Sequence, residues 1–401
     1  VILLSAAVAS IFFVLPFSEA LPAPAFLAWT GFVLAGIVGT VVLGYGKQPK
    51  YQGIWIASAF LALVGAVSAS GETESLRGHL LYALQIIVFI AFGPFAIKCL
   101  AAKPGLAAKA VAAFLLGQSI SAGAAVAQAS GMTVFGWKSA LGRAPGLAGH
   151  PNIIGVLSGV AIVLFLFLIF KTKQRKLPLL CGLALNVAGL FISGSISALI
   201  ACAIGVLIFM IAARVSFKVI LTMATVVGAA LWGTGQLAAA GLLRGPAQRI
   251  AQVTGQTHEK STLDIRQYTY EFAWQGIQRD PFYGRGLDTG SGATYDNITV
   301  THNILLRAWY QGGLGTGLAI ALIVAAIAWL IAGALFHGKD AASAGVLAVI
   351  IGFSMTSAAL QQGYFWLLIL GAWALLASST ADNQRGQHMS LAPAEKQPLA
   401  A

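Results

Sequence analysis

A chain of 401 residues that is 58% hydrophobic and only 9% charged carries more apolar side chain than one water-soluble core can cover, so a soluble globular protein is excluded. The net charge of +12 is scattered through short connections rather than gathered on one polar face, which argues against a nucleic-acid partner. Length, composition and a mean hydropathy of +0.84 describe an all-α polytopic membrane protein.

Crossing a hydrocarbon layer of ~30 Å takes ~20 helical residues. Apolar runs of that kind recur about twelve times, beginning near Ile2, Ala25, Ile54, Leu80, Leu106, Ile153, Leu177, Ala198, Phe217, Gly313, Ala341 and Gly363. The first run is short and the chain starts at Val1, but no small-residue cleavage site follows it, so it reads as a span rather than a signal peptide. Cys99, Cys181 and Cys202 sit in or beside spans, without metal-ligand or redox spacing, and read as small apolar packers. Alternating the connections puts Lys47, Lys50, Lys98, Lys103, Lys109, Lys171, Lys173, Arg175, Lys176, Arg214, Lys218, Lys339, Arg385 and Lys396 on one side, which the positive-inside tendency makes cytoplasmic, together with both termini. The short connections of the other side carry Arg77, Lys138 and Arg143 with Glu19, Glu72 and Glu74.

One connection stands apart. Between the ninth span, which closes 1–232, and the last three spans, 312–380, residues 233–311 leave the membrane on the outer side. This loop holds half of the acids in the chain, Glu259, Asp264, Glu271, Asp280, Asp288 and Asp296, against Arg244, Arg249, Lys260, Arg266, Arg279, Arg285 and Arg307. Ser261 and Thr262 offer N-caps for a helix to about Gln278, on which Arg266, Tyr270, Ala273 and Ile277 share a face. Asp280, Pro281 and the glycines of FYGRGLDTGSG then impose turns. The tail, 381–401, is polar and reads as a loose end.

Three outer segments offer chemistry. The first carries Arg143, His150 and Asn152; the second is the Arg266 helix; the third runs from His302 and Asn303 to Gly317. The arginine fork donates paired hydrogen bonds and stays charged where water is scarce, and unpaired arginines beside lipid are costly, so several together imply an anionic partner. A diphosphate with an isoprenoid tail in the bilayer fits. Arg244, Arg249 and Arg279 read as solvated or ion-paired surface; Arg285 either pairs with Asp288 or touches phosphate; Arg307, near Trp309 and Tyr310, reads as a headgroup-level anchor. His150, before Pro151, either fixes the entrance turn of a span or touches substrate. His302 is the natural general base, because a neutral imidazole accepts a hydroxyl proton at neutral pH. The glycines of GGLGTG let the helix bend into the tenth span. There is no DxD, HExxH or GxxxxGK motif, and few charges lie inside spans, which disfavours metal-dependent, ATP-driven and ion-coupled readings.

The RxxGxxxHPN segment (Arg143, Gly146, His150, Pro151, Asn152), the long outer loop, the DPFYGRG turn and HNxxL followed by GGxxG together resemble the O-antigen ligase and polymerase superfamily. The resemblance covers 142–317 and the span layout. It implies a GT-C-like fold and a glycosyltransferase of the bacterial inner membrane, with its site facing the periplasm. Such an enzyme is inverting, metal-independent and cofactor-free, and works without a nucleotide sugar. Within the superfamily the best likeness is to O-antigen ligases. These move polysaccharide from an undecaprenyl diphosphate donor to lipid A-core as acceptor, in lipopolysaccharide biosynthesis. By that likeness Arg143 and Arg266 bind the diphosphate and offset leaving-group charge, His302 activates the acceptor hydroxyl, and Asn303 orients the histidine or a sugar. Arg285, His150 and Asn152 are further substrate contacts. The rivals are an O-antigen polymerase, a protein O-oligosaccharyltransferase and, from another class, a lipid-linked glycan flippase.

Overall fold

The computed structural model describes residues 2–140, 142–171, 176–222, 225, 228–229, 232, 262–296, 299–338 and 340–390. Arg244, Arg249, the Ser261 cap and most of the ninth span lie outside them. In chain order the helices are α1 (Ile2–Val14), followed by a 3-10 turn Leu15–Ala20, α2 (Ala23–Val42), α3 (Gln52–Ser68), α4 (Leu76–Ala91), α5 (Gly93–Ala101), α6 (Leu106–Ala129), α7 (Pro151–Lys171), α8 (Lys176–Ile192) and α9 (Ile196–Ala212). Beyond these lie α10 (Thr262–Arg279), α11 (Ile304–His337), α12 (Ala341–Ser354) and α13 (Gly363–Ser390). Between α10 and α11, β1 (Ala293–Tyr295) pairs antiparallel with β2 (Thr299–Val300).

The chain is a polytopic membrane protein. Among the described residues six helices are long and apolar enough to cross a membrane, or seven if α4 and α5, bent by 46° at Phe92, form one broken span. The apolar helices Lys176–Ile192, Ile196–Ala212, Ala341–Ser354 and Gly363–Ala377 are shorter. Helix starts fall close to the expected positions because local chemistry sets them. Ser75, Ser195 and Asn303 cap α4, α9 and α11, each side chain accepting from the backbone N–H three residues on. Pro151 opens α7, where its missing N–H costs nothing. The last helix runs on to Ser390, where a loose end from residue 381 is expected from composition.

Packing follows the logic of lipid, where apolar faces gain little from meeting each other and close backbone approach matters more. The α3–α11 pair shows this: a Cβ on Gly65 would lie 2.3 Å from the Thr316 hydroxyl and 2.5 Å from the Gly312 carbonyl. Buried tryptophans fill the wider gaps, with the Trp55 and Trp373 rings edge-on at 4.8 Å. α7 is buried along most of its length, against α6, α8, α9 and α12.

The expected bend is at Gly313, whose φ of 64° and ψ of −172° break α11. The kink frees the carbonyls of Tyr310 and Gln311, and they accept from the N–H groups of Arg285 and Gly286 instead. The bend thus anchors the glycine-rich turn of the preceding segment. On the same first turns of α11 sits α10, whose Ala273 and Ile277 bury against Tyr310 while Trp274 meets Trp309 edge-on.

Candidate functional site

The site lies at the end of the bundle where α7, α9, α11 and α13 begin. The stretch from Ser130 to His150 is folded by two isolated bridges, Val134 with Trp137 and Ala140 with Arg143. Gln128, fully buried, clamps Gly146 by donating to its carbonyl and accepting from its N–H, both at 2.9 Å. That frame aims Arg143, whose Nε donates to the Ser193 carbonyl at 2.9 Å and whose Nη2 donates to Asn152 Oδ1 at 2.7 Å. Asn152 therefore holds Arg143 in place, and its backbone N–H donates to His150 Nδ1 at 3.1 Å. His150 thus fixes the entrance turn and also lines a cavity.

Arg266, on α10, donates from Nη1 to the Ser197 hydroxyl at 3.1 Å, on the first turn of α9. One turn later the Tyr270 hydroxyl donates to the His302 carbonyl at 2.8 Å, so α10 positions both the arginine and the histidine. The His302 ring lines a cavity of about 320 Å³ with Glu19, Trp137, His150, Asn152, Ser357, Gln362 and Tyr364. Its Nδ1 is buried with no well-formed hydrogen bond among the described residues, although the Val300 carbonyl favours a proton on the ring. Burial first, then the charges of Arg266, Arg307 and His150, bring the His302 pKa down from 6.5 to about 4. The ring is neutral at pH 7, as a base must be, but a weak one while the arginines are uncompensated. His150 is lowered as well, by burial and then by Arg143.

Two expected placements change. Arg307 is no headgroup anchor: it is 3% exposed, and its guanidinium donates to Gln311 Oε1 at 2.6 Å, to the Ala358 carbonyl at 2.8 Å and to Gln361 Oε1. It forms no salt bridge among the described residues, so neutral dipoles hold a fixed positive charge near His302. Arg285 neither pairs with Asp288 nor reaches the cavity; it forms an exposed ion pair with Glu72 at 3.0 Å. Asp288 is occupied by Thr73 and Ser291, and although burial works to raise its pKa, those hydrogen bonds outweigh it and lower the value. Asn303 caps α11, its Oδ1 accepting from the Leu306 N–H, while its Nδ2 donates to the Met355 carbonyl at 3.1 Å. Cys181 is exposed, whereas Cys99 and Cys202 are buried packers as expected.

Sequence reasoning passed over Glu19, the Ser193–Ser197 turn and the 357–362 segment. The signal was present in the last two, because SGSIS and TSAALQQG are polar breaks between apolar runs. It also passed over His79, 1% exposed, which accepts the Leu287 N–H at Nδ1 and donates from Nε2 to the Ala66 carbonyl, stitching the glycine-rich turn to α3 and α4. Among the described residues no three His, Cys, Asp or Glu side chains are grouped to hold a metal ion.

The fold and site define a multi-pass membrane protein with a histidine-lined cavity backed by fixed guanidinium charge at one end of its bundle. Residues 181–322 match the family model described as O-Antigen ligase, which supports a place in the O-antigen ligase superfamily. The matched segment contains Arg266, His302 and Arg307, while Arg143, His150 and Asn152 lie before it. No curated protein matches the chain.

Proposed function

We propose that the protein is an O-antigen ligase that transfers polysaccharide from undecaprenyl diphosphate to lipid A-core on the periplasmic side of the inner membrane. The observation that carries this reading is that His302, His150 and Asn152 line one cavity, with Arg266 close enough for its charge to act on His302 and Arg143 held by Asn152. The donor's diphosphate docks on Arg143 and Arg266, with Arg307 adding charge from beneath. An acceptor hydroxyl attacks the anomeric carbon from the face opposite the phosphate, and the carbon–oxygen bond to phosphate breaks with its electron pair leaving on the carrier diphosphate. The hydroxyl proton passes to His302. A diphosphate leaves as a stable anion, so no acid is needed on that side. Its negative charge also offsets the two arginines that hold His302 down, so the base strengthens when the donor is in place.

The test is transfer from carrier-linked glycan by purified protein. His302→Ala should abolish transfer with donor affinity retained, and Arg143→Ala or Arg266→Ala should each cost well over ~10-fold, because a charge-assisted contact contributes ~1.5 to 3 kcal/mol. Normal rates in His302→Ala would remove the base assignment, and normal rates and donor affinity in both arginine variants would remove the diphosphate site. Offering lipid A-core, carrier-linked repeats and acceptor protein in parallel separates a ligase from a polymerase or a protein O-oligosaccharyltransferase.

A further inference from the structure

We propose that Glu19 and Trp137 form the acceptor-sugar subsite of the cavity, with Glu19 taking hydrogen bonds from sugar hydroxyls and Trp137 stacking on the ring. This rests on the glycosyl-transfer reading above. The cavity is electrostatically polar. His302, His150 and Asn152 lead from it to Arg266 and Arg143, and that flank suits an anion.

Glu19 lies at the end of the 3-10 turn Leu15–Ala20 and is the one carboxylate among the residues lining the cavity. It has no hydrogen bond or ion pair among the described residues; Tyr364 is close enough to feel its charge, and Gln362, Ser357 and the two histidines line the same cavity. A carboxyl group left mostly buried without a hydrogen-bond partner is costly. A lipid tail would offer it nothing, whereas a sugar presents neighbouring hydroxyls that a carboxyl group engages in pairs.

Trp137 supplies the second element. It is 39% exposed although large and apolar, and it lines the same cavity. Gly149 fixes its place: a Cβ there would come within 3.0 Å of Ala20 Cβ and 3.5 Å of Trp137 Cζ2, so the indole and the end of the 3-10 turn close on one glycine. The indole therefore lies close to the end of the turn that carries Glu19. A flat apolar face next to a carboxylate suits a pyranose, whose C–H face stacks while its hydroxyls donate. Gln362 Oε1 already accepts from the Tyr364 hydroxyl, which turns the amide N–H₂ toward donating to a sugar oxygen.

The experiment uses the full chain in lipid nanodiscs, with two readouts. Saturation-transfer NMR measures binding of delipidated core oligosaccharide without turnover, and steady-state kinetics measures transfer. Glu19→Gln, which keeps the shape, and Trp137→Ala should each weaken oligosaccharide binding and raise the acceptor KM by about 10- to 100-fold, the range for losing a bond to a charged group, with donor KM held within about twofold. Unchanged oligosaccharide binding in both variants overturns the subsite. So does a fall in kcat at unchanged acceptor KM in Glu19→Gln, which would make Glu19 a proton acceptor. If the wild type binds oligosaccharide through Glu19 but transfers no glycan, the subsite stands and the transfer reading fails.

Discussion

Docking a diphosphate should raise the pKa of His302. In the empty site it lies at about 4 instead of 6.5, held down by burial and then by the charges of Arg266, Arg307 and His150. An anion bound to Arg266 removes part of that repulsion and adds attraction of its own; an opposite charge at close range moves a pKa by ~1 to 3, so the bound value should fall at about 5 to 7. By linkage the diphosphate then binds more tightly as pH falls through that window, with a gain of up to ~10-fold in affinity for each tenfold strengthening of the base. The assay is a pH titration of the ring by NMR on histidine-labelled protein in nanodiscs, with His302→Gln to assign the signal, run with and without carrier diphosphate. A ring that titrates near 6.5 in the empty protein would refute the account of its surroundings. A low value unmoved by saturating diphosphate would refute the placing of the phosphates beside it.

The same depressed pKa makes His302 an acid-sensitive element. The unfolded chain takes up a proton below 6.5 that the folded ring refuses down to about 4, so stability is fully present above pH 6.5 and declines as pH falls toward 4. Thermal unfolding of His302→Gln should show a shallower loss across that range than the wild type. Gly313→Ala should destabilise by at least ~3 kcal/mol, since φ of 64° with ψ of −172° suits only glycine and the new Cβ would lie 2.4 Å from the Phe282 carbonyl; Tm in detergent checks it. Arg285→Ala should change stability by no more than ~1 kcal/mol and leave transfer unchanged, because its partner Glu72 is exposed and the pair stands outside the cavity; a large loss of transfer would return Arg285 to the site.

Much of the frame was legible because it depends on near neighbours. The helix at Thr262–Arg279 and the bend within GGLGTG each follow from a few adjacent residues whose backbone preference decides the outcome. Arg143, Arg266 and His302 could be nominated from residue type, because arginine forks and imidazole are suited to few tasks at a lipid border. Which polar residue meets which could not be read. Arg285 finds Glu72 across 213 positions, and Arg307 finds Ala358 and Gln361 across more than 50. Asp288 stood nearer to Arg285 in sequence, but its carboxylate was taken by Thr73 and Ser291.

The sequence by itself determined that the chain belongs in a membrane, roughly where its helices start and which outer segments carry arginine and histidine. Hydropathy and local capping act over a turn or a span, and they leave their mark in the order of residues. Only the tertiary structure decided that Arg307 is a buried charge, that Asn303 is a cap and that Glu19 and His302 line one cavity. Those outcomes depend on how helices far apart in the chain meet end to end, where each buried polar group takes whichever partner the packing brings within reach.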